Sequence, residues 1–287
     1  MESVVQTLLL FVDGLGLGPE SEHNPLFSGA CPRLARLLRE EAAPIDAGLG
    51  VPGLPQSATG QTALLTGVNA PAVMGRHIEG LPGPRLKEII REHNLLSALA
   101  ARGYRATFAN AYYTRDIEEV RSRRFQSVTT VATLAAFGAV RDTADLLAGR
   151  AVYQDLTRAS LRERGYDGPF VTPAQAGRDL AALATEHDFT LFEYFQTDRA
   201  GHKGDAERTR RVLGEFDEFL GGVLAFAEGE RRLLLLTSDH GNIEDAATRT
   251  HTGNPVPFVA LGAGAGALKI RVRALTDIAP ALLDLYP

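Results

Sequence analysis

Short apolar runs of strand length alternate with longer segments of helical periodicity along most of this 287-residue sequence. The apolar runs predict strands at residues 8–12, 105–109, 189–195, 233–236 and 256–261. Amphipathic patterns predict helices at residues 94–102, 173–187, 206–227 and 276–285. Because strands that alternate with helices usually pair in parallel, the sequence predicts an α/β fold with a mostly parallel central sheet and helices on both faces.

Residues 111–172 depart from this alternation. They hold a charge-rich segment at 115–124, a segment rich in Thr, Val and Ala at 128–136, and a turn sequence at 166–169. The chain is long enough for one large α/β domain with a modest addition. We therefore expect residues 1–110 and 173–287 to form the core, with residues 111–172 forming either a small inserted cap or the periphery of the sheet.

Charge and composition argue against several classes of partner. A net charge of −5 and a sequence pI of about 5.8 leave no broad basic surface for nucleic acid or an anionic membrane. No apolar run reaches the length of a membrane span, and residues 1–7 lack the basic region of a signal peptide. Cys31 is the single cysteine, which excludes an intramolecular disulfide. We expect a cytoplasmic protein with no nucleic-acid or membrane partner, and its oligomeric state stays open.

Carboxylate and imidazole side chains follow several of the predicted strands. Asp13 follows the first strand, Asp198 follows the strand at 189–195, and Asp239 and His240 follow the strand at 233–236. Ligands of such sheets bind outside the carboxyl ends of the strands. An adjacent Asp and His, followed by Gly241 that permits a sharp turn, suit Zn²⁺ or Mn²⁺ better than Ca²⁺. By itself, the pair is equally compatible with a turn that contains a capping Asp and a solvated His.

Two more histidines could belong to the same site. His202 lies four residues after Asp198, so one helical turn or a tight loop could direct both side chains at one cation. His251 precedes a loop containing Gly253 and Pro255, which could present another ligand. Each feature has an ordinary alternative, because acid–imidazole pairs are common on exposed helices and a carboxylate after a strand is often a structural cap.

A glycine-rich loop at residues 53–60 runs into an apolar segment of helical type and offers three hydroxyls, Ser57, Thr59 and Thr62. A hydroxyl at the start of a helix lies in the positive field of the helix N-terminus, which also favours phosphate. The alternative is that Thr59 or Thr62 is only an N-cap residue.

Together, these pieces resemble the metal-site signature of the alkaline phosphatase superfamily. The resemblance is strongest to its metalloenzyme branch, which contains the cofactor-independent phosphoglycerate mutases and the phosphopentomutases. It extends from Asp13 to the closing segment that begins at Asp277, and it implies an alkaline phosphatase-like fold with two divalent metal ions, Mn²⁺ or Zn²⁺ and alternatively Mg²⁺. The positions that carry it are, in chain order, Asp13-Gly14, Thr62, Asp198 and His202, Asp239-His240-Gly241-Asn242, and His251-Thr252-Gly253.

The resemblance also implies a role for each position. One metal ion would be held by Asp13, Thr62, Asp239 and His240, and the other by Asp198, His202 and His251. Thr62 would be the nucleophile, because two nearby divalent ions can lower the pKa of its hydroxyl and clamp the phosphoryl oxygens during an in-line transfer. Water or an acceptor hydroxyl would then attack the phosphothreonine.

Two departures from the mutases bear on the reaction. The mutases have Gly-Asn-Ser at the nucleophile, where this chain has Gly60-Gln61-Thr62, and the phosphoglycerate mutases carry a large second domain for which this chain has no room. A mutase must keep water from its phosphoenzyme, which takes a substantial lid. We therefore predict a phosphatase or phosphodiesterase that acts on a small phosphorylated substrate. The alternatives are a phosphomutase and a non-catalytic metal-binding protein, and the intact nucleophile and ligand set argue against the latter.

Several basic or polar residues could contact the substrate. Any of them could neutralise a phosphate or recognise a leaving group. The candidates are Arg76 and His77 after the nucleophile segment, Asn110, Arg115 and Arg121 at the start of the inserted segment, and Lys203 beside His202.

Overall fold

Apolar runs of the sequence form the strands of one six-stranded sheet in the computed structural model, which describes residues 4–287. Residues 1–3 of the predicted core segment lie outside the described residues. The strands are β1 (Gln6–Val12), β2 (Ala43–Ile45), β3 (Ala106–Phe108), β4 (Phe189–Tyr194), β5 (Arg232–Thr237) and β6 (Val256–Gly262).

The sheet is mixed but mostly parallel, which confirms the predicted fold class. Its order is β2-β6-β5-β1-β4-β3. Strands β3, β4, β1 and β5 are mutually parallel, whereas β6 pairs antiparallel with β5, and β2 pairs antiparallel with β6. The carboxyl ends of β4, β1 and β5 therefore lie side by side at one edge.

The four helices predicted from amphipathic patterns correspond to α5, α9, α11 and α13 below. Within residues 4–287, no helix combines the length and the apolar character needed to cross a lipid bilayer. The helices are α1 (Pro32–Glu41), α2 (Ser57–Thr66), α3 (Ala70–Met74), α4 (Pro84–His93), α5 (Leu95–Ala101), α6 (Ile117–Arg121), α7 (Val128–Phe137), α8 (Thr143–Leu147), α9 (Pro173–Thr185), α10 (Gln196–Lys203), α11 (Ala206–Val223), α12 (Ala265–Arg271) and α13 (Leu275–Leu283).

Side chains of the central strands alternate between two hydrophobic cores, one on each face of the sheet. Leu9 and Phe11 of β1 pack into the core that includes α2, α5, α7 and α13. Leu8 and Leu10 pack into the core on the other face, with α1, α9 and α11. Because both faces are covered, the central strands are rich in apolar residues, and β1 and β5 each contain a continuous apolar run.

Residues 111–172 divide between the core and a small addition. Val128, Val131 and Ala132 of α7 belong to the core on one face of the sheet. Most of the remaining segment packs around a separate cluster of six buried residues, Ala111, Leu146, Ala151, Tyr153, Leu161 and Tyr166. Backbone bridges from Asn110 to Val152 and from Ala111 to Arg141 attach this cluster to the chain after β3. The addition therefore lies beside the carboxyl edge of the sheet.

Phe192→Ala should lower the free energy of unfolding by about 3–5 kcal/mol, because it removes a large buried side chain from the middle of β4. The Phe192 ring centroid lies 5.3 Å from that of Phe219 in α11. Urea denaturation followed by circular dichroism measures the loss. Phe125→Ala is the control, because Phe125 is 69% exposed and its replacement should change stability by less than about 0.5 kcal/mol. Equal effects of the two substitutions would contradict this packing.

Candidate metal centre

Five of the predicted ligands lie at the carboxyl ends of three neighbouring strands. Asp13 directly follows β1, Asp239 and His240 follow β5, and Asp198 and His202 lie on α10, which begins two residues after β4. Strand β1 pairs with both β4 and β5, so the three chain ends meet at one edge of the sheet.

Asp13, Asp239 and His240 form the first cluster, in buried surroundings. His240 Nε2 lies 3.3 Å from Asp13 Oδ1 and 3.4 Å from Asp239 Oδ2. Ser57 Oγ lies 2.9 Å from the same nitrogen. Two carboxylate oxygens, an imidazole nitrogen and a hydroxyl therefore surround one point, which is a donor set that suits a borderline divalent cation.

Asp198, His202 and His251 form the second cluster. Their potential ligand atoms converge, with 3.1 Å between the two Nε2 atoms and 3.4 and 3.5 Å from those atoms to Asp198 Oδ1. His202 Nδ1 lies 2.8 Å from Arg249 O, and His251 Nδ1 lies 2.9 Å from Pro55 O. Because each Nδ1–H can donate to a carbonyl, each Nε2 is left with its lone pair directed at the cluster.

The two clusters touch through their imidazole rings. The rings of His240 and His251 stack with 3.6 Å between their centroids. Asp198, His240 and His251 also have ligand atoms within 4.8 Å of one another. The arrangement is therefore one continuous centre with room for two adjacent cation positions.

Unsatisfied buried oxygens indicate that this centre fits cations. Asp13 Oδ1 and Asp239 Oδ2 are buried and have no hydrogen-bond partner among the described residues. Burial, together with repulsion by Asp239 and Asp198, raises the pKa of Asp13 well above its ordinary value. Burial and repulsion by Asp198 raise the pKa of Asp239 to about 7. Carboxylates crowded in this way are costly unless positive charge neutralises them, and a divalent ion supplies that charge.

The imidazoles also have protonation properties that suit metal ligation. Burial, followed by repulsion from His251, lowers the pKa of His240 to about 3, so its ring is neutral. Burial opposes protonation of His251, but hydrogen bonding to Asp198 and to Pro55 outweighs it and raises the pKa of His251. A proton on His251 therefore takes the place that a cation would fill beside Asp198, and the two must compete.

The structure directs the hydroxyl of Thr62, the predicted nucleophile and metal ligand, at its own helix and not at the centre. Thr62 is the sixth residue of α2, is fully buried, and its hydroxyl donates to Ala58 O at 2.6 Å. Thr59 Oγ1 is engaged with Gln56 O and with the amide of Ile78. Ser57 is the first residue of α2 and is the hydroxyl that faces His240. Because α2 begins at Ser57, Thr62 lies about one and a half helical turns further along the helix, where its hydroxyl meets the helix backbone.

A cleft of about 640 Å³ opens above the centre. Its walls include Asp13, Ser57 and Asp198 from the centre, and several tyrosines from the segment after β3. Three arginines, Arg123, Arg164 and Arg199, also line it. These arginines were missed from the sequence, because their neighbours in the chain carry no motif that distinguishes them from other surface arginines.

The predicted substrate contacts mostly lie elsewhere. Arg76 and His77 line a separate pocket beside residues 52–56, and Arg115 lines another, which shares Tyr113 and Arg164 with the cleft. Lys203 is exposed at the end of α10, and Arg121 contacts Gly138 O. Asn110 lies on the cleft wall, but its amide exchanges two hydrogen bonds with the backbone of Glu193. Asn110 therefore holds β4 to the chain after β3.

Similarity to known sequences supports these observations. A model of the metalloenzyme superfamily matches residues 5–286. The 2,3-bisphosphoglycerate-independent phosphoglycerate mutase of Acetivibrio thermocellus is 36% identical over 107 residues, which cover 35% of this chain and 20% of that protein. The protein of the same name from Roseobacter denitrificans is 36% identical over 113 residues, 37% of this chain and 22% of that protein. The matched region thus spans about a fifth of the length of these relatives.

Similarity to solved structures concerns the fold. The PH0037 protein from Pyrococcus horikoshii superposes with a TM-score of 0.61 at 15% identity, covering 100% of this chain and 98% of that protein. The alkaline phosphatase of Thermus thermophilus superposes with a TM-score of 0.58 at 12% identity, covering 99% of this chain and 92% of that protein. The fold is therefore alkaline phosphatase-like.

Asp239→Asn should have opposite effects on stability with and without metal. The raised pKa means that the folded metal-free protein holds this proton more tightly than the unfolded chain does, so Asp239 costs stability as the pH rises from about 4 to about 7. In EDTA at pH 8 the variant should be more stable than wild type, by an amount that shrinks towards pH 4. With Mn²⁺ it should be less stable, because a ligand is lost. Thermal unfolding measures both, and destabilisation by the same amount under all conditions would contradict a ligand role.

Proposed function

Since the chain belongs to the metalloenzyme superfamily, we propose that it is a two-metal phosphoryl-transfer enzyme, a phosphatase or phosphodiesterase that hydrolyses a small phosphorylated substrate. The observation that carries this proposal is the position of Ser57. Its hydroxyl lies at the first residue of α2, 2.9 Å from a proposed metal ligand, and on the wall of the cleft. A nucleophile, a cation site and access for substrate therefore coincide.

Seven side chains divide into the two proposed metal sites. Asp13, Ser57, Asp239 and His240 would hold one ion, and Asp198, His202 and His251 the other. When bound, two divalent ions neutralise phosphoryl charge, lower the pKa of the attacking hydroxyl and favour in-line displacement. The mixed nitrogen and oxygen donors favour Zn²⁺ or Mn²⁺, with Mg²⁺ as the alternative.

The residues of the chain supply the nucleophile and part of the anion site. Ser57 Oγ would lose its proton and attack phosphorus, forming a phosphoserine as the bond from phosphorus to the leaving oxygen breaks. Gln56 at the N-cap makes no side-chain hydrogen bond to the helix, and the Thr59 amide donates to Ile78 O at 3.3 Å, so the amides of Ser57 and Ala58 would serve phosphoryl oxygens. Water would then attack phosphorus, the bond to Ser57 Oγ would break, and the hydroxyl would regain a proton.

The arginines of the cleft support recognition of an anionic substrate. Arg199 follows Asp198 directly, and its guanidinium lies over the ring of Phe195. Arg164 lies over the ring of Tyr113, and Arg123 pairs with Glu119 at 2.9 Å. Guanidinium groups bind phosphate and carboxylate with two parallel hydrogen bonds, so these side chains suit the leaving group of a small phosphate ester.

Hydrolysis is favoured over isomerisation by the exposed rim. The three arginines are exposed, and the addition formed by residues 111–172 is a small cluster packed against the sheet edge. Water can therefore reach the proposed phosphoserine, where a mutase would need a dry enclosure. A phosphomutase is the second candidate, because the curated relatives described above are named as phosphoglycerate mutases.

Ser57→Ala should reduce turnover of an aryl phosphate with Mn²⁺ by roughly four orders of magnitude or more, because it removes the nucleophile. Thr62→Ala is the matched control, since it deletes a hydroxyl from the same helix that faces its own backbone. As an independent measurement, the reaction is quenched in acid and the phosphorylated residue is mapped. The phosphate should be found on Ser57. The reverse outcome, with Thr62→Ala inactive and Ser57→Ala near normal, would restore Thr62 as the nucleophile.

Supplied with 3-phosphoglycerate, ribose 1-phosphate or an aryl phosphate, the protein should release free phosphate without forming positional isomers. In ¹⁸O-labelled water, the released phosphate should carry one labelled oxygen, because water attacks phosphorus in the second step. Phosphate release and isomers are measured separately on the same sample. Isomer formation without phosphate release would replace the hydrolase with the mutase.

A further inference from the structure

Glu244 is a buried carboxylate that accepts four hydrogen bonds beside the metal centre. Its side chain is 1% exposed. Glu244 Oε2 accepts from the amides of Gly16 at 3.0 Å and Asn242 at 2.7 Å. Glu244 Oε1 accepts from Asn254 Nδ2 at 3.0 Å and from the hydroxyl of Thr252. Four donors match the lone-pair positions of an ionised carboxylate, so the charge is satisfied without a cationic side chain among these donors.

The four donors come from two loops, the loop after β1 and the loop that joins β5 to β6, and both loops carry proposed metal ligands. Gly16 lies three residues after Asp13. Asn242 lies two residues after His240, and Thr252 directly follows His251. One carboxylate therefore joins the loop after β1 to both ends of the loop between β5 and β6.

Asn242 extends the network to α10, which carries two further proposed ligands. Its backbone amide donates to Glu244, and its side-chain Nδ2 donates to Asp198 Oδ1 at 2.7 Å. Asp198 Oδ1 is the atom that faces both histidines of the second cluster. The position of Asp198 thus depends on Asn242, and through it on Glu244.

Two glycines show how closely the chain packs around this carboxylate. A Cβ atom added to Gly16 or to Gly241 would lie 2.2 Å from Glu244 Oε1. Neither position can accept a side chain unless Glu244 moves. Glycine at both positions therefore allows the loop after β1 and the loop between β5 and β6 to approach one carboxylate.

We propose that Glu244 is a positioning residue that sets the spacing of both metal sites and thereby controls metal affinity, without contacting metal or substrate. The proposal rests on the metal ligands assigned under the proposed function. Carboxylates that orient ligands from outside the coordination sphere typically change metal affinity or activity by about 10- to 100-fold when replaced. Here the effect should reach both ions, because ligands of each cluster lie on loops joined by Glu244.

Glu244→Gln tests the proposal with an almost unchanged shape. The amide group replaces one acceptor oxygen by a donor, so at least one of the four hydrogen bonds is lost and two donors face each other. Calorimetric titration of the metal-free protein with Mn²⁺ should show dissociation constants about 10- to 100-fold higher than wild type. Hydrolytic activity should return as Mn²⁺ is raised to saturation, because Glu244 takes no part in the reaction itself.

Asp217→Asn is the matched control. Asp217 is also a buried carboxylate, and it accepts from the Leu34 amide at 2.8 Å and from Arg33 at 3.0 Å, on α1 away from the metal centre. Its replacement should lower thermal stability but leave the affinity for Mn²⁺ unchanged. Thr252→Val provides a milder test if Glu244→Gln does not fold, because it removes one donor and should raise the dissociation constant severalfold.

The outcomes separate this inference from the proposed function. Wild-type affinity for Mn²⁺ in folded Glu244→Gln, or in folded Thr252→Val where Glu244→Gln does not fold, would overturn the positioning role and leave the two-metal centre intact. Equal losses of affinity in Glu244→Gln and Asp217→Asn would also overturn it, because they would reflect stability alone. A wild-type protein that binds none of Mn²⁺, Zn²⁺ and Mg²⁺ would overturn the proposed function and this inference with it.

Discussion

Repulsion among three carboxylates at one edge of the sheet is the constraint on which the rest of the structure depends. Asp13, Asp198 and Asp239 meet there because β1 lies between β4 and β5 and runs parallel to both. Burial and this mutual repulsion raise the pKa values of Asp13 and Asp239. Such an arrangement persists only where protons or cations neutralise it, and where the surrounding backbone is held firmly enough to resist expansion. A cation held by the carboxylates and imidazoles would serve the first need, and the hydrogen bonds converging on Glu244 serve the second.

The central part of the fold could be predicted from sequence because burial on both faces leaves a strong signal. Strands β1 and β5 contain uninterrupted apolar runs and β4 is interrupted by Thr190 and Glu193, whereas β2 is only three residues long and was not predicted. The antiparallel direction of β6 is not visible in its composition. It follows from the loop after β5, which folds back on itself through a bridge between Gly241 and Thr252 and so starts β6 at the carboxyl edge. The same return brings His251 to the metal centre.

The acids and histidines of the site were predictable, but the hydroxyl that faces them and the residues that line the cleft were not. The positions of ligands that follow strands could be predicted because the strands themselves are easy to predict. Ser57, Thr59 and Thr62 share one short segment, so the choice among them depends on where α2 begins, and Gln56 at the N-cap gives no capping signal. Gly60 explains how α2 comes close to the metal centre. A Cβ atom there would lie 2.9 Å from Asp239 O, so this glycine lets α2 approach β5 closely enough for Ser57 to reach His240.

The proposed metal ligands and most arginines and tyrosines of the cleft wall come from different parts of the chain. The proposed Asp and His ligands come from segments that follow β1, β4 and β5. Their spacing depends in part on backbone amides that donate to Glu244, and Gly16 and Gly241 permit this close approach. The arginines and tyrosines of the cleft wall come largely from residues 111–172, which contribute little to the sheet itself. Changes there can alter which leaving group fits, and how far water is excluded, while the carboxylate cluster stays unchanged. Relatives that share the metal centre can therefore differ in whether water or a second hydroxyl of the substrate receives the phosphoryl group, and the exposed arginines are the reason that we propose water as the acceptor for this chain.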